Sequence, residues 1–178
     1  MLVEVRVQSL ALDRATNTPV VILEEIGGER ILPIWIGPGE ASAIAMQLAE
    51  MDFARPLTHD LICSVLKSLG GALQRVVITR VEKSTYFAEL IVQRDGDLIS
   101  LDARPSDSIA VALRVDARIF AQEELLEEAS VEVEEGEIAP ASGGSKLEPL
   151  TPEASLDAEQ LKEHLKGLDP EDFGRFSP

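Results

Sequence analysis

Two short stretches concentrate the side chains able to move protons or hold phosphate. The first is Arg55-Pro56-Leu57-Thr58-His59-Asp60-Leu61, and the second is Asp102-Ala103-Arg104-Pro105-Ser106-Asp107. Proton transfer needs a base, an anionic ligand needs a cation to hold it, and carboxylates can hold a metal. His59 supplies a base, Arg55 and Arg104 supply phosphate clamps, and Asp60, Asp102 and Asp107 supply carboxylates. Glu40 adds a fourth acid from an earlier stretch. Thr58 and Ser106 offer hydroxyls beside the charged groups. Each has a plainer reading too. Arg104 can tie down its loop by bonding Asp102 or Asp107, and Glu40 and Asp107 can be partners of a helix dipole. His59 falls in what reads as an exposed first helical turn, where a surface role competes evenly with proton transfer or metal binding.

The elements that position these groups follow from local pattern. Leu101 to Arg114 reads as a strand running into a helix, with Pro105 at the first helical position and Ser106 and Asp107 in the first turn. Ile109, Ala112 and Leu113 mark its buried stripe. Ile34-Trp35-Ile36-Gly37-Pro38-Gly39-Glu40-Ala41 repeats this arrangement 67 residues earlier, so that Pro38 matches Pro105 and Glu40 matches Asp107. Each copy follows two further strand-like runs. The expectation is an internal duplication of a three-strand-plus-helix unit on one shared core, in an α+β fold with mixed or antiparallel sheets and packed helices.

Between the copies, Thr58 is expected to cap a helix that Gly70-Gly71 ends, with Leu57 and Ile62 at staple spacing. Leu61, Ile62, Val65, Leu66 and Leu69 form its expected buried stripe. The first helix spans roughly Pro38 to Met51, with Ala41, Ile44, Ala45 and Leu48 inward. Val3, Val5 and Val7 alternate with polar residues, and the parity switch at Ser9-Leu10 predicts a bulge. Gly27-Gly28, Lys83-Ser84 and Asp95-Gly96 read as hairpin turns. Pro33 assigns its strand to an edge or a bulge. Trp35, the one tryptophan, suits either the core or a subunit contact.

Composition sets the limits. One domain over residues 1–130 and an acidic, Pro- and Gly-containing flexible tail over 131–178 fit the 178 residues, with a short helix expected at 157–167 around Leu161 and Leu165. The tail is a candidate for binding a protein partner. The net charge of −16 divides equally, with 12 Lys+Arg against 20 Asp+Glu in 1–130 and 4 against 12 in the tail. No basic stripe of the kind that carries nonspecific nucleic-acid binding is present, so a polyphosphate ligand would need a metal ion, an arginine cluster or helix N-termini. The single cysteine, Cys63, excludes an internal disulfide and reads as a buried, inert thiol. No secretory leader and no membrane-length apolar run is evident, and a cytoplasmic protein is expected.

Leu32-Pro33-Ile34-Trp35-Ile36-Gly37 with Glu40-Ala41, Arg55 to Leu61, and Asp102 to Ala110 together resemble the bifunctional nuclease domain family, here a bacterial member, over about residues 1–130. The resemblance implies a compact α+β homodimer and activity on both DNA and RNA. Together with the residues above it makes nucleic acid the expected partner and hydrolysis with little sequence selectivity the expected reaction. His59, Asp60, Asp107 and Glu40 are the catalytic candidates, and Arg55, Thr58, Arg104 and Ser106 the substrate-binding ones. Asp60, Asp102 and Asp107 are the candidate ligands of a divalent Mg or Mn ion, although no close metal-ligand pattern occurs. The alternative is a non-enzymatic dimeric module that binds an anionic ligand or a protein.

Overall fold

A computed structural model of the chain describes residues 1–13, 16–131 and 147–149. The helix expected at 157–167 lies outside them. Three antiparallel strands open the fold: β1 (Leu2–Asp13), β2 (Thr18–Glu25) and β3 (Ile31–Trp35). Helix α1 (Pro38–Leu48) and helix α2 (Thr58–Ser68) follow. A second antiparallel set comprises β4 (Gly71–Glu82), β5 (Thr85–Arg94) and β6 (Asp97–Ala103), and leads directly into α3 (Pro105–Val115). Strand β7 (Arg118–Gln122) and helix α4 (Glu123–Val131) complete the main body, and a short β8 (Leu147–Pro149) pairs with β1.

All the strands join one mixed sheet, whose path runs β3-β2-β1-β7-β4-β5-β6. Strand β7 is the seam. It pairs antiparallel with β1 and parallel with β4, so the two three-stranded sets meet across it. The register slips between Val7 and Ser9, where the apolar parity changes. Pro33 sits in β3, an outer strand of the path, which tolerates its missing donor. Lys83 and Ser84 (φ 49° and 63°) and Asp95 and Gly96 (φ 52° and 91°) turn their hairpins with left-handed backbone, the geometry that matches strand twist.

The core lies between the sheet and α3. Val76, Ile78 and Ala88 from the sheet and Ile109, Ala110, Val111 and Ala112 from α3 are almost wholly buried. Small residues on α3 let it approach the strands closely. Leu125 and Leu126 bury the inner side of α4. On β1–β3, Ala11, Val20 and Ile22 form a separate small cluster against which Ile31 and Trp35 pack. The Trp35 indole donates to Asp13 Oδ2 at 3.2 Å, so this tryptophan is half core and half surface.

Helix α2 departs from the expected pattern. Leu61, Ile62, Val65 and Leu69 are exposed, and Cys63 is half-buried. The side that α2 turns inward carries His59 instead, which is 8% exposed. Helix α1 likewise ends at Leu48, which faces solvent. The apolar period of α2 is real, but α3 meets a different face of the helix. Gly71 makes this seating possible. A Cβ there would stand 3.1 Å from Val92 Cγ1 and 3.3 Å from the Leu66 carbonyl oxygen.

Replacing Ile109 with alanine should cost about 2–5 kcal/mol, because the cavity opens where α3 meets the sheet; urea denaturation measures it.

Candidate functional site

The junction of β6 and α3 faces the first turns of α1 and α2. Pro105 fixes the start of α3, with Arg104 as the extended cap residue (φ −71°, ψ 145°). Gly37 plays the same part for α1. A Cβ on Gly37 would lie 2.3 Å from Glu40 Oε2, so the absence of a side chain lets the Glu40 carboxylate fold back over the cap. Helix α2 is capped by Leu57, not Thr58. Thr58 is its first helical residue, and Asp60 Oδ2 accepts the Leu57 backbone N–H at 2.7 Å. With Leu57 itself at the cap, Leu57 and Ile62 no longer hold the two positions of the expected staple.

These three starts enclose an open cleft of about 570 Å³. Its polar lining is Glu40, Thr58, His59, Asp102, Arg104 and Asp107, and Ile62, Leu90 and Val111 supply apolar wall. A continuous chain of contacts crosses it. His59 Nε2 stands 3.1 Å from Asp107 Oδ1. Arg104 Nε donates to the other oxygen of the same carboxylate at 2.7 Å, and Arg104 Nη1 meets Glu40 Oε1 at 2.8 Å. The ion-pair reading of Arg104 therefore holds for Asp107, with Glu40 as a second partner. The Arg104 side chain is still 64% exposed, and the guanidinium N–H groups beyond these two contacts are available to a ligand.

Electrostatics fix the direction of the His59–Asp107 contact. Burial works to raise the Asp107 pKa, but hydrogen bonds from Arg104 and His59 outweigh it and hold the carboxyl below the ordinary aspartate value of 3.8. An ionised Asp107 accepts, so His59 Nε2 is the donor of this contact.

Asp60 belongs to a neighbouring structure. Its Oδ1 takes Arg114 Nε at 2.5 Å. Arg114, with a side chain only 6% exposed, also donates to the Ala110 carbonyl at 2.9 Å and to the Ala43 carbonyl at 3.3 Å. The Leu57 N–H, and then Arg114, hold the Asp60 carboxyl below its ordinary value against the effect of burial. One buried guanidinium thus joins α1, α2 and α3 just behind the cleft.

The structure therefore brings together six of the candidate residues and leaves three apart. Asp60 is engaged with Arg114, Arg55 is exposed outside the cleft, and Ser106 is buried at 6% exposure without lining it. Asp102 forms part of the wall where β6 ends, and it lies opposite Glu89 in the β5–β6 ladder. Asp60, Asp102 and Asp107 do not converge as a ligand set. Among the described residues no group of three His, Cys, Asp or Glu side chains is placed to hold a metal ion. Arg114 had no assigned role in the sequence. Its signal was there, as a lone cation in the last turn of an apolar helix, but its partners are 54 and 71 residues away.

The bifunctional nuclease domain profile matches residues 21–134. An uncharacterized protein of Mycobacterium tuberculosis is 39% identical over 170 residues, which is 96% of this chain and 97% of that protein. Bifunctional nuclease 1 of Arabidopsis thaliana is 26% identical over 174 residues, 90% of this chain but 54% of its own length. Bifunctional nuclease 1 of Oryza sativa subsp. japonica is 28% identical over 105 residues, 57% of this chain and 32% of its own. The chain thus spans about half or less of these plant relatives.

Asp60 and Asp107 both have lowered pKa values in the fold. Their contribution to stability is full above the unfolded-state value and is lost as pH falls through the lower folded-state one. Urea midpoints should hold steady from about pH 7 to about pH 5 and fall steeply below about pH 4, with a shallower acid limb in Asp107→Asn. Asp60→Asn should lower stability at neutral pH by about 1–3 kcal/mol, because it strips the buried Arg114 of its counter-charge.

Proposed function

The chain belongs to the bifunctional nuclease domain family, and from that premise we propose that it is a cytoplasmic nuclease hydrolysing phosphodiester bonds in RNA and DNA with little sequence selectivity. One observation carries the assignment to this cleft: a histidine, an ionised aspartate and an arginine with free donors share one open wall. Arg104 would hold a phosphate oxygen with the N–H groups that Asp107 and Glu40 leave over. His59 would take a proton from water through Nδ1 while Asp107 steadies the resulting imidazolium. The water oxygen bonds to phosphorus, the ester P–O bond breaks, and the proton held by His59 returns to the leaving oxygen. Thr58, at the cleft edge, would orient the sugar-phosphate.

Among the described residues no side-chain group forms a site for Mg or Mn by itself, so the proton transfers are assigned to the chain's own side chains. A divalent ion enters the proposal as a counter-charge carried in with the polyanion. Glu40, Asp102 and Asp107 face a single arginine among the described cleft residues, a balance that repels bare phosphate. That same balance supports a second reading, a non-enzymatic dimeric module that binds an anionic ligand or a protein, and within it favours the protein partner over the anion.

The test is hydrolysis of single-stranded RNA and DNA by the full chain with Mg²⁺, Mn²⁺ or EDTA. His59→Ala and Asp107→Asn, prepared identically and checked for folding, should each lose about 10²–10⁴-fold in rate, and EDTA should depress the wild-type rate. Activity that persists in both variants would place the chemistry elsewhere. A folded wild type inactive in every condition would leave the binding module as the better reading.

A further inference from the structure

No basic stripe runs along the sequence, but the sheet assembles one. On β4, Val76 and Ile78 turn toward α3, so Arg75 and Val77 take the opposite face. Arg75 lies beside Arg118 of β7 in the parallel ladder, and Val77 lies beside Phe120. On the other side of β7, Glu4 of β1 pairs with Phe120 and Val5 with Ile119, so the next step of that register sets Arg6 opposite Arg118. Arg6, Arg118 and Arg75 therefore form one row across three strands, about 5 Å from neighbour to neighbour. Like charges abreast on one face destabilise a sheet, and little neutralises these. Arg6 pairs with Glu24, yet its side chain stays 71% exposed. Arg118 is exposed, and neither it nor Arg75 has an acidic partner among the described residues. The Arg75 Nε is buried with no acceptor among those residues. Aromatic rings adjoin the row. The Arg118 guanidinium stands 5.6 Å from the centre of the half-buried Phe120 ring. Phe87, on the same face of β5, has Arg80 at 4.1 Å from its ring centre. The nearest acids, Glu4 and Glu89, lie in the next row, opposite Phe120 and Val77.

We propose that this row is a second site, on the face of the sheet opposite the cleft, which holds the phosphates of a single-stranded nucleic acid while Phe120 stacks on a base. Three features carry the assignment. Charge complementarity is local: in a chain of net charge −16, two adjacent arginines without counter-charges leave a positive strip that an anion relieves. Guanidinium forks match phosphate oxygens. A ring beside the strip suits a base of any kind, because every base offers a flat face. An acidic peptide would answer the charge and leave the Phe120 ring unused. The row is separate from the chemistry proposed for the cleft. Its occupancy is read by binding in EDTA, with no bond broken, so either proposal can fail without the other.

The test is fluorescence anisotropy of a labelled oligo-dT of about 20 nucleotides with the full chain in EDTA, over about 20–200 mM salt. The wild type should bind, and the logarithm of its affinity should fall linearly with the logarithm of salt. Arg118→Ala, at an exposed position, should weaken binding about five- to tenfold at low salt and make the slope shallower by about 0.7, the share of one phosphate contact on a single strand. Arg94→Ala removes the same charge from the far hairpin of β5 and should change neither. Phe120→Leu keeps an apolar side chain in place and should weaken binding about tenfold with the slope unchanged. A folded wild type that does not bind at any salt in this range, or a slope that Arg118→Ala leaves as it was, would overturn the proposal. Poly-glutamate competing as well as unlabelled oligo-dT, with no loss in Phe120→Leu, would also overturn it and make the row a surface for an acidic protein. Binding that depends on Arg118 in a chain that hydrolyses nothing would keep this site and remove the proposed activity; hydrolysis with binding indifferent to Arg118 would do the reverse.

Discussion

Burying the Arg114 guanidinium is the constraint on which the site depends. A charge at that depth is tolerated only when it is paired and its donors are satisfied. Asp60 supplies the charge, and the Ala110 and Ala43 carbonyls supply further acceptors. Because these partners lie on α2, α3 and α1, satisfying one side chain fixes three helices at once. Asp60 also caps the backbone of its own helix through the Leu57 N–H. The first turn of α2 therefore has little freedom, and the residue beside Asp60 in sequence, His59, is held against Asp107.

This arrangement separates two carboxylates that look alike in the sequence. Asp60 and Asp107 each sit in the first turn of a helix, and each has a lowered pKa. Asp60 uses both oxygens to hold the helices together. Asp107 directs its oxygens to His59 and Arg104 at the cleft wall, where a ligand can reach the same groups. The first is a support, and the second faces the cleft. The cleft also carries more acid than base, which fits the acidic composition of the chain and makes the counter-charge of any nucleic acid part of the binding problem.

The exposed face of α2 follows from the same geometry. With His59, Cys63 and Leu66 turned toward the body of the subunit and Asp60 bound to Arg114, the Leu61–Val65–Leu69 line must point outward. An amphipathic helix can satisfy its apolar period against its own subunit or against another, and periodicity is the same in both cases.

Much of the fold was legible in the sequence because its signals are local. Pro105 and Pro38 mark helix starts, Asp95-Gly96 and Lys83-Ser84 mark hairpins, the parity switch near Ser9 marks the bulge, and Pro33 marks an outer strand. Each depends on backbone chemistry within a few residues. The family was legible as well, through three motifs in order. The tertiary structure decided what local chemistry cannot encode: that His59 is buried, that Asp60 answers to Arg114 and not to a ligand, that Arg55 and Ser106 stay out of the cleft, and that Glu40 reaches Arg104 from another helix. These are contacts between residues 48 to 71 apart in most cases, and a side chain's partner at that range is set by how helices pack, not by its neighbours in the chain.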